Sequence, residues 1–113
     1  MNIKEFKPGQ EAYIVDLHTG RNEPPSIHQT KVVTVGRKYV TTNHYGKKYK
    51  TYSDPYGLIE QTGWGETTYL CPDKEKAQMC IDHEDLRLWL YKAAAHGNKY
   101  TLDQLKQVKE ILD

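Results

Sequence analysis

The sequence predicts an α+β chain: a small β-barrel of five or six antiparallel strands, followed by a C-terminal helical hairpin. Three observations predict it. Short runs of β-branched and aromatic residues recur through the first 71 residues, with Gly, Pro, Asn and Asp clusters between them, as in a rolled all-β sheet. After Pro72-Asp73 the apolar residues recur at helical spacing instead. The chain is 113 residues long, which is one domain by length. The organisation expected is a barrel over residues 1–71 and an αα-hairpin over residues 72–113, packed on the barrel as a single folded unit.

Lys7-Pro8-Gly9-Gln10 turns the chain into a first strand, residues 11–17. Its alternation puts Tyr13, Val15 and Leu17 on one face and Ala12, Ile14 and Asp16 on the other. Residues 19–26 form a loop, because Gly20 and the Pro24-Pro25 pair exclude regular structure. The centre of the barrel is a hairpin with arms at residues 27–35 and 38–44. Val32, Val33, Thr34, Val35, Val40, Thr41 and Thr42 are β-branched, stiff at the first torsion and suited to a pleated surface. Gly36 marks the bend through its freedom to adopt positive φ. At least one of Val33 and Val35 belongs in the core. Asn43-His44-Tyr45-Gly46 is the next turn, residues 47–53 the fourth strand, and Asp54-Pro55-Tyr56-Gly57 a further turn. Residues 58–61 and 66–70 flank Thr62-Gly63-Trp64-Gly65 as the last hairpin.

Asp73 is placed to cap a helix over residues 74–96, with Glu75 in the first turn where the helix dipole favours an acid. Ala77, Ile81, Leu88 and Ala95 lie roughly along one side. Leu86, Trp89, Leu90 and Ala93 crowd the second half, which is expected to be the better buried. Thr101-Leu102-Asp103-Gln104 fits a capping box. Behind it Leu102, Leu105, Val108 and Leu112 recur at helical spacing.

The charges nearly cancel at +1, and residues 1–71 carry +2 against −1 for residues 72–113. Net charge alone therefore names no polyanionic partner. Mean hydropathy is −0.83 with a single Phe, so nine Tyr and two Trp supply much of the apolar area. No run approaches the roughly 18 apolar residues of a membrane span, and Met1-Asn2-Ile3-Lys4-Glu5-Phe6 has no signal-peptide stretch. The expectation is a cytoplasmic protein with no membrane partner. Cys71 and Cys80 are expected as two reduced thiols, since a helix over residues 73–80 would space them by about 10 Å, beyond disulfide reach.

The pointer to a binding surface is residues 37–53. They hold Arg37, Lys38, Lys47, Lys48 and Lys50 and no acid, interleaved with Tyr39, Tyr45, Tyr49 and Tyr52. Lys and Arg pair with phosphates while exposed aromatics stack on bases, and together on adjacent barrel strands they make a platform for single strands. Plain alternation, Tyr inward and Lys outward, accounts for the same residues without any function. Trp64, between two glycines at a hairpin tip, either folds over the barrel end or anchors a partner. Arg21 lies in a candidate contact loop. Cys71, Cys80 and His83 lack the second close ligand pair that structural zinc needs. Ser26 and Ser53 sit in no nucleophile elbow, and there is no Gly-rich phosphate loop. The chain thus reads as non-enzymatic, with no metal, no cofactor and no catalytic residue.

Gly9-Gln10-Glu11-Ala12-Tyr13-Ile14-Val15-Asp16, followed by Thr34-Val35-Gly36-Arg37-Lys38-Tyr39-Val40, resembles the opening of SH3-like or KOW-like barrels. With Leu70-Cys71-Pro72-Asp73-Lys74-Glu75 and the short capped last helix, most of the chain resembles small SH3-like β-barrel proteins of phages and mobile elements of Gram-positive bacteria. The resemblance implies a phage setting in the cytoplasm of a bacterial host, where small non-enzymatic proteins bind nucleic acid or block a defence enzyme. It transfers no site residues. The expectation is a phage-type binding module whose macromolecular partner is a protein, such as a host defence nuclease inhibited in the anti-CRISPR manner. The alternatives are direct nucleic-acid binding by the basic-aromatic strands, and a structural protein that self-associates through a sheet edge.

Overall fold

The alternating runs fold into six short strands: β1 (Glu11–Asp16), β2 (Ser26–Val35), β3 (Tyr39–Thr42), β4 (Lys48–Lys50), β5 (Leu58–Glu60) and β6 (Thr68–Cys71). The helical stretches are α1 (Lys74–Ala95) and α2 (Leu102–Leu112), and 3-10 turns occupy Ile3–Glu5 and Gly97–Lys99. The structure is a computed structural model that describes residues 1–17, 24–53, 55–61 and 68–113. Each strand pairs antiparallel with the next, and β6 pairs with β1 to close the barrel. The α+β reading, barrel first and helical hairpin second, is thus the observed fold. Closure also leaves no open edge among the described strands for self-association through a sheet edge, because every strand has two neighbours.

The chain forms two compact units, Met1–His83 and Glu84–Asp113. In the first, apolar side chains gather in two clusters. The barrel interior holds Phe6, Ala12, Ile14, Val32, Val40, Tyr49, Leu58 and Leu70, with Ile3. On the outer face of β1 and β6, Val15, Leu17, Tyr69 and Cys71 pack with Ala77 and Cys80 from the first turns of α1. Both faces of β1 are therefore buried in part, and all four residues of β6 are, which is why these strands do not read as a clean alternation. Asp73 caps α1 as expected, its Oδ1 accepting from the Lys76 amide at 2.7 Å. No disulfide joins Cys71 and Cys80, and both are buried in the outer cluster.

The central hairpin is present, but its bend works differently. The register shifts between Val32 and Thr34, a bulge that re-phases the strand. Val32 is buried and Val35 packs against the core, three residues apart, while Val33 is half exposed. Gly36 does not use positive φ. Its amide donates to the Tyr39 carbonyl at 2.8 Å, and the left-handed positions among the described residues are Gly9, Tyr45 and Gly46. The tight left-handed turn is thus the one between β3 and β4.

The sequence assigns no secondary-structure element to the first six residues, yet they pack into the barrel core. Asn2 and Glu5 form a capping box around the 3-10 turn, which delivers Ile3 and Phe6 to the core. The Tyr52 amide donates to the Met1 carbonyl at 3.1 Å, and the Ile3 amide to Thr51 Oγ1 at 3.3 Å. These bonds fix the turn against the segment that follows β4.

In the second unit Thr101 and Gln104 form the expected capping box at the start of α2. The expectation for α1 is reversed. Ala77 and Cys80, in its first half, are the buried residues, whereas Leu86, Trp89 and Leu90 are exposed. Small side chains let a helix approach a sheet closely, so burial follows what faces the helix rather than the size of its residues. No described helix is long and apolar enough to cross a membrane.

Candidate binding surface

Strand alternation decides the fate of the basic-aromatic stretch. On β4, Tyr49 points inward between outward-facing Lys48 and Lys50. Across the ladder Tyr39 lies opposite Lys50, and Thr41 opposite Lys48. Tyr39 is half-buried, and the Lys48 Nζ sits 5.9 Å from its ring centroid, within cation–π range.

Beside this ladder lies an open recess of about 420 Å³, lined by Asn2, Ile3, Lys4, Arg37, Lys38, Tyr39, Lys50 and Thr51. Four of these residues are cations and none is an acid. Two come from the turn between β2 and β3, one from β4, and Lys4 from the 3-10 turn, 33 positions before Arg37 in sequence. A concave surface with one sign of charge focuses the field toward an anionic ligand. The structure therefore brings Arg37, Lys38, Tyr39 and Lys50 together, and adds Lys4, which composition could not connect to them. Lys48 borders the group through Tyr39.

The other proposed residues separate from it. Tyr49 is 0% exposed and belongs to the interior cluster, so it offers no ring for stacking; for this residue the plain alternation holds. Lys47 Nζ lies 3.3 Å from Glu60 Oε1, a carboxylate almost wholly buried. That pairing compensates a charge inside the barrel wall, and Lys47 is committed to it. Tyr45 sits at the tip of the β3–β4 turn, 87% exposed with φ 56°. Its ring meets His44 edge-on at 4.6 Å, and His44 stacks on His28. Asn43 ties this tip to β2, its Oδ1 accepting from Thr30 Oγ1 at 2.7 Å and from the Lys31 amide at 3.2 Å. Trp64 and Arg21 lie outside the described residues. Among the described residues no group of three His, Cys, Asp or Glu side chains is arranged to hold a metal ion.

Burial, followed by the charges of Glu60 and Asp16, holds the Tyr49 phenol protonated well above the ordinary tyrosine value of 10. A group whose folded value is raised contributes stability that is complete below its unfolded value and lost above it. Stability should therefore fall as pH climbs past 10, by up to about 1.4 kcal/mol per pH unit from this one group. The Tyr49 hydroxyl has no hydrogen-bond partner among the described residues, so Tyr49→Phe removes an unmatched polar atom. Urea titrations should find the variant at least as stable as wild type at pH 7 and less sensitive between pH 9 and pH 11. Equal alkaline losses in both proteins would refute this placement of the phenol.

The family model of the phage ProQ C-terminal-like domain matches residues 1–113. No curated protein and no solved structure matches the chain. A small six-strand barrel with a helical tail, matched along its whole length, is thus a phage-type domain, and the chain belongs to the phage ProQ C-terminal-like domain family.

Proposed function

We propose that this domain is a non-enzymatic binding module that holds the backbone of a single-stranded nucleic acid in the recess at the Arg37-Lys38 turn. The observation that carries the reading is the lining itself: Lys4, Arg37, Lys38 and Lys50 around one half-buried Tyr39, with no carboxylate among the lining residues. Cations neutralise phosphates, and Tyr39 offers a face on which a base can stack. The near-neutral net charge of +1 does not oppose this, because the local arrangement rather than the total sets the field at a cleft. The phage family match supports the setting. The same proposal takes the barrel as SH3-like and the cytoplasm of a Gram-positive host as its place of action.

Fluorescence anisotropy with DNA and RNA oligonucleotides at two salt concentrations tests it. Affinity should fall steeply with salt. Replacing Arg37 and Lys50 by Glu should weaken binding at least about tenfold, because each replacement turns a phosphate contact into a repulsion. Tyr39→Ala should cost about 1–3 kcal/mol for the lost stack. Absence of binding at low salt would remove the proposal.

The second reading, a protein target such as a host defence nuclease, is favoured by Tyr45. An almost fully exposed aromatic on a turn pinned by Asn43 is the sort of rigid anchor that dominates protein interfaces. Tyr45→Ala would then abolish capture of the target while Lys50→Glu left it intact, the opposite of the pattern expected for nucleic acid.

A further inference from the structure

We infer that the recess at the Arg37-Lys38 turn takes the end of a strand, a terminal phosphomonoester with its nucleoside, in preference to an internal stretch of backbone. The inference rests on the nucleic-acid reading and narrows it. It starts from how many cations meet in a small space. Lys4, Arg37, Lys38 and Lys50 line one recess of about 420 Å³, and Lys48 Nζ stands 5.9 Å from the ring centroid of its Tyr39. Ligand sites run from about 300 to 1,000 Å³, so this one suits a single small group rather than a length of strand. Among the described residues none of the four lining cations is ion-paired, although the chain holds 15 acids to 16 bases. Glu5, next to Lys4, is held in the capping box, its Oε2 accepting from the Asn2 amide at 2.9 Å.

The backbone of the wall is set before any ligand arrives. The Ile3 amide donates to Thr51 Oγ1 at 3.3 Å, which ties the turn bearing Lys4 to the end of β4. Lys50 lies opposite Tyr39 in the β3–β4 ladder, and the Gly36 amide closes the Arg37-Lys38 turn on the Tyr39 carbonyl at 2.8 Å. Three segments distant in sequence thus hold their cations around one point. A site assembled in advance loses little entropy on binding.

Charge chooses the end of the strand over its middle. An internal phosphodiester brings a single negative charge, and its neighbours along the strand fall outside so small a recess. A terminal phosphomonoester brings about −1.5 to −2 and three strong acceptor oxygens. A guanidinium grips two such oxygens at once, and ammonium groups add point charges. Tyr39 chooses the rest of the ligand. Its half-buried ring stands in the lining, already ordered, and offers a face to the terminal base. The phosphate of a phosphoserine peptide brings the same charge but no base.

Anisotropy of one short single-stranded sequence, labelled internally and prepared in four forms, tests the inference on the full chain. The forms are a strand with hydroxyls at both ends, the 5′-phosphate, the 3′-phosphate, and the circle closed from the same sequence. One phosphorylated form should bind at least about tenfold tighter than the hydroxyl form, and the circle no better than the hydroxyl form. The form that gains tells which end the recess takes. Replacing Lys4 and Lys38 together by Ala should lower the ratio of phosphorylated to hydroxyl affinity at least about threefold. Both side chains are exposed, and the ratio is internal to each protein, so a change in folded fraction cancels. Four forms bound alike would overturn the inference and leave the backbone reading standing. An advantage that survives the two substitutions places the end elsewhere and also overturns it. No binding of any form at low salt removes both readings, and so does a phosphoserine peptide that competes better than the phosphorylated strand.

Discussion

Phe6→Ala should lower the unfolding free energy of the barrel by about 3–5 kcal/mol, a large part of the about 5–15 kcal/mol that holds a domain of this size. Phe6 is the single Phe of the chain. It is 3% exposed and lies in the interior cluster with Ile14, Val40, Leu58 and Leu70. The barrel walls are set by six paired strands and cannot collapse around the space left behind, so the cavity term adds to the lost transfer energy. Val33→Ala is the control. Its half-exposed side chain on the bulge should change stability by no more than about 0.5 kcal/mol. Urea titrations at constant slope measure both. A Phe6→Ala cost below about 1 kcal/mol would show that the first residues are an appendage.

The same substitution reaches the recess. Phe6 and Ile3 seat the 3-10 turn, and that turn carries Asn2, Ile3 and Lys4 into the recess wall. Loosening the seat leaves Arg37, Lys38 and Lys50 in place but frees Lys4. Oligonucleotide affinity in Phe6→Ala, measured where the protein remains folded, should resemble that of Lys4→Ala. Core and surface are joined at this one turn.

That turn is also where the sequence was least informative. Strands and helices announce themselves by period, and all six strands and both helices were visible, with ends displaced by a few residues. Asp73 and the capping box at Thr101 were legible because caps are local chemistry with fixed spacing. Six residues between a start and a Pro-Gly turn carry no period. Their role depends on Met1 meeting Tyr52 and Ile3 meeting Thr51, contacts about fifty residues away in sequence.

The basic stretch shows a second kind of limit. Composition found Arg37, Lys38, Tyr39 and Lys50, but it could not tell them from Lys47 and Tyr49. Lys47 is drawn away by Glu60, a buried acid thirteen positions on, and Tyr49 by the inward phase of β4. Phase in a strand of three residues is set by its neighbours' registers, not by its own pattern. In α1 the error was of another sort. A dense run of Leu and Trp suggests depth by composition, yet Leu86, Trp89 and Leu90 are exposed.

Gly57→Ala should destabilise the barrel by about 1–3 kcal/mol although it adds only one methyl group. Gly57 is buried at the entrance to β5, without the positive φ that would otherwise explain a glycine. A Cβ there would stand 2.9 Å from the Leu70 carbonyl oxygen and 2.9 Å from Cys71 Sγ. Neither neighbour gives way easily. Leu70 pairs with Leu58 of β5 and with Ile14 of β1, so its carbonyl moves only if the closure of the barrel moves with it. Cys71 is wholly buried beside Ala77 and Cys80 of α1. The two contacts can be told apart by a double-mutant cycle. Cys71→Ala removes the sulfur but leaves the carbonyl, so Gly57→Ala should cost less in that background without becoming neutral. The coupling measured would be the share of the clash that the thiol carries. A Gly57→Ala protein within about 0.5 kcal/mol of wild type would mean that β5 and β6 are not held as close as these distances require.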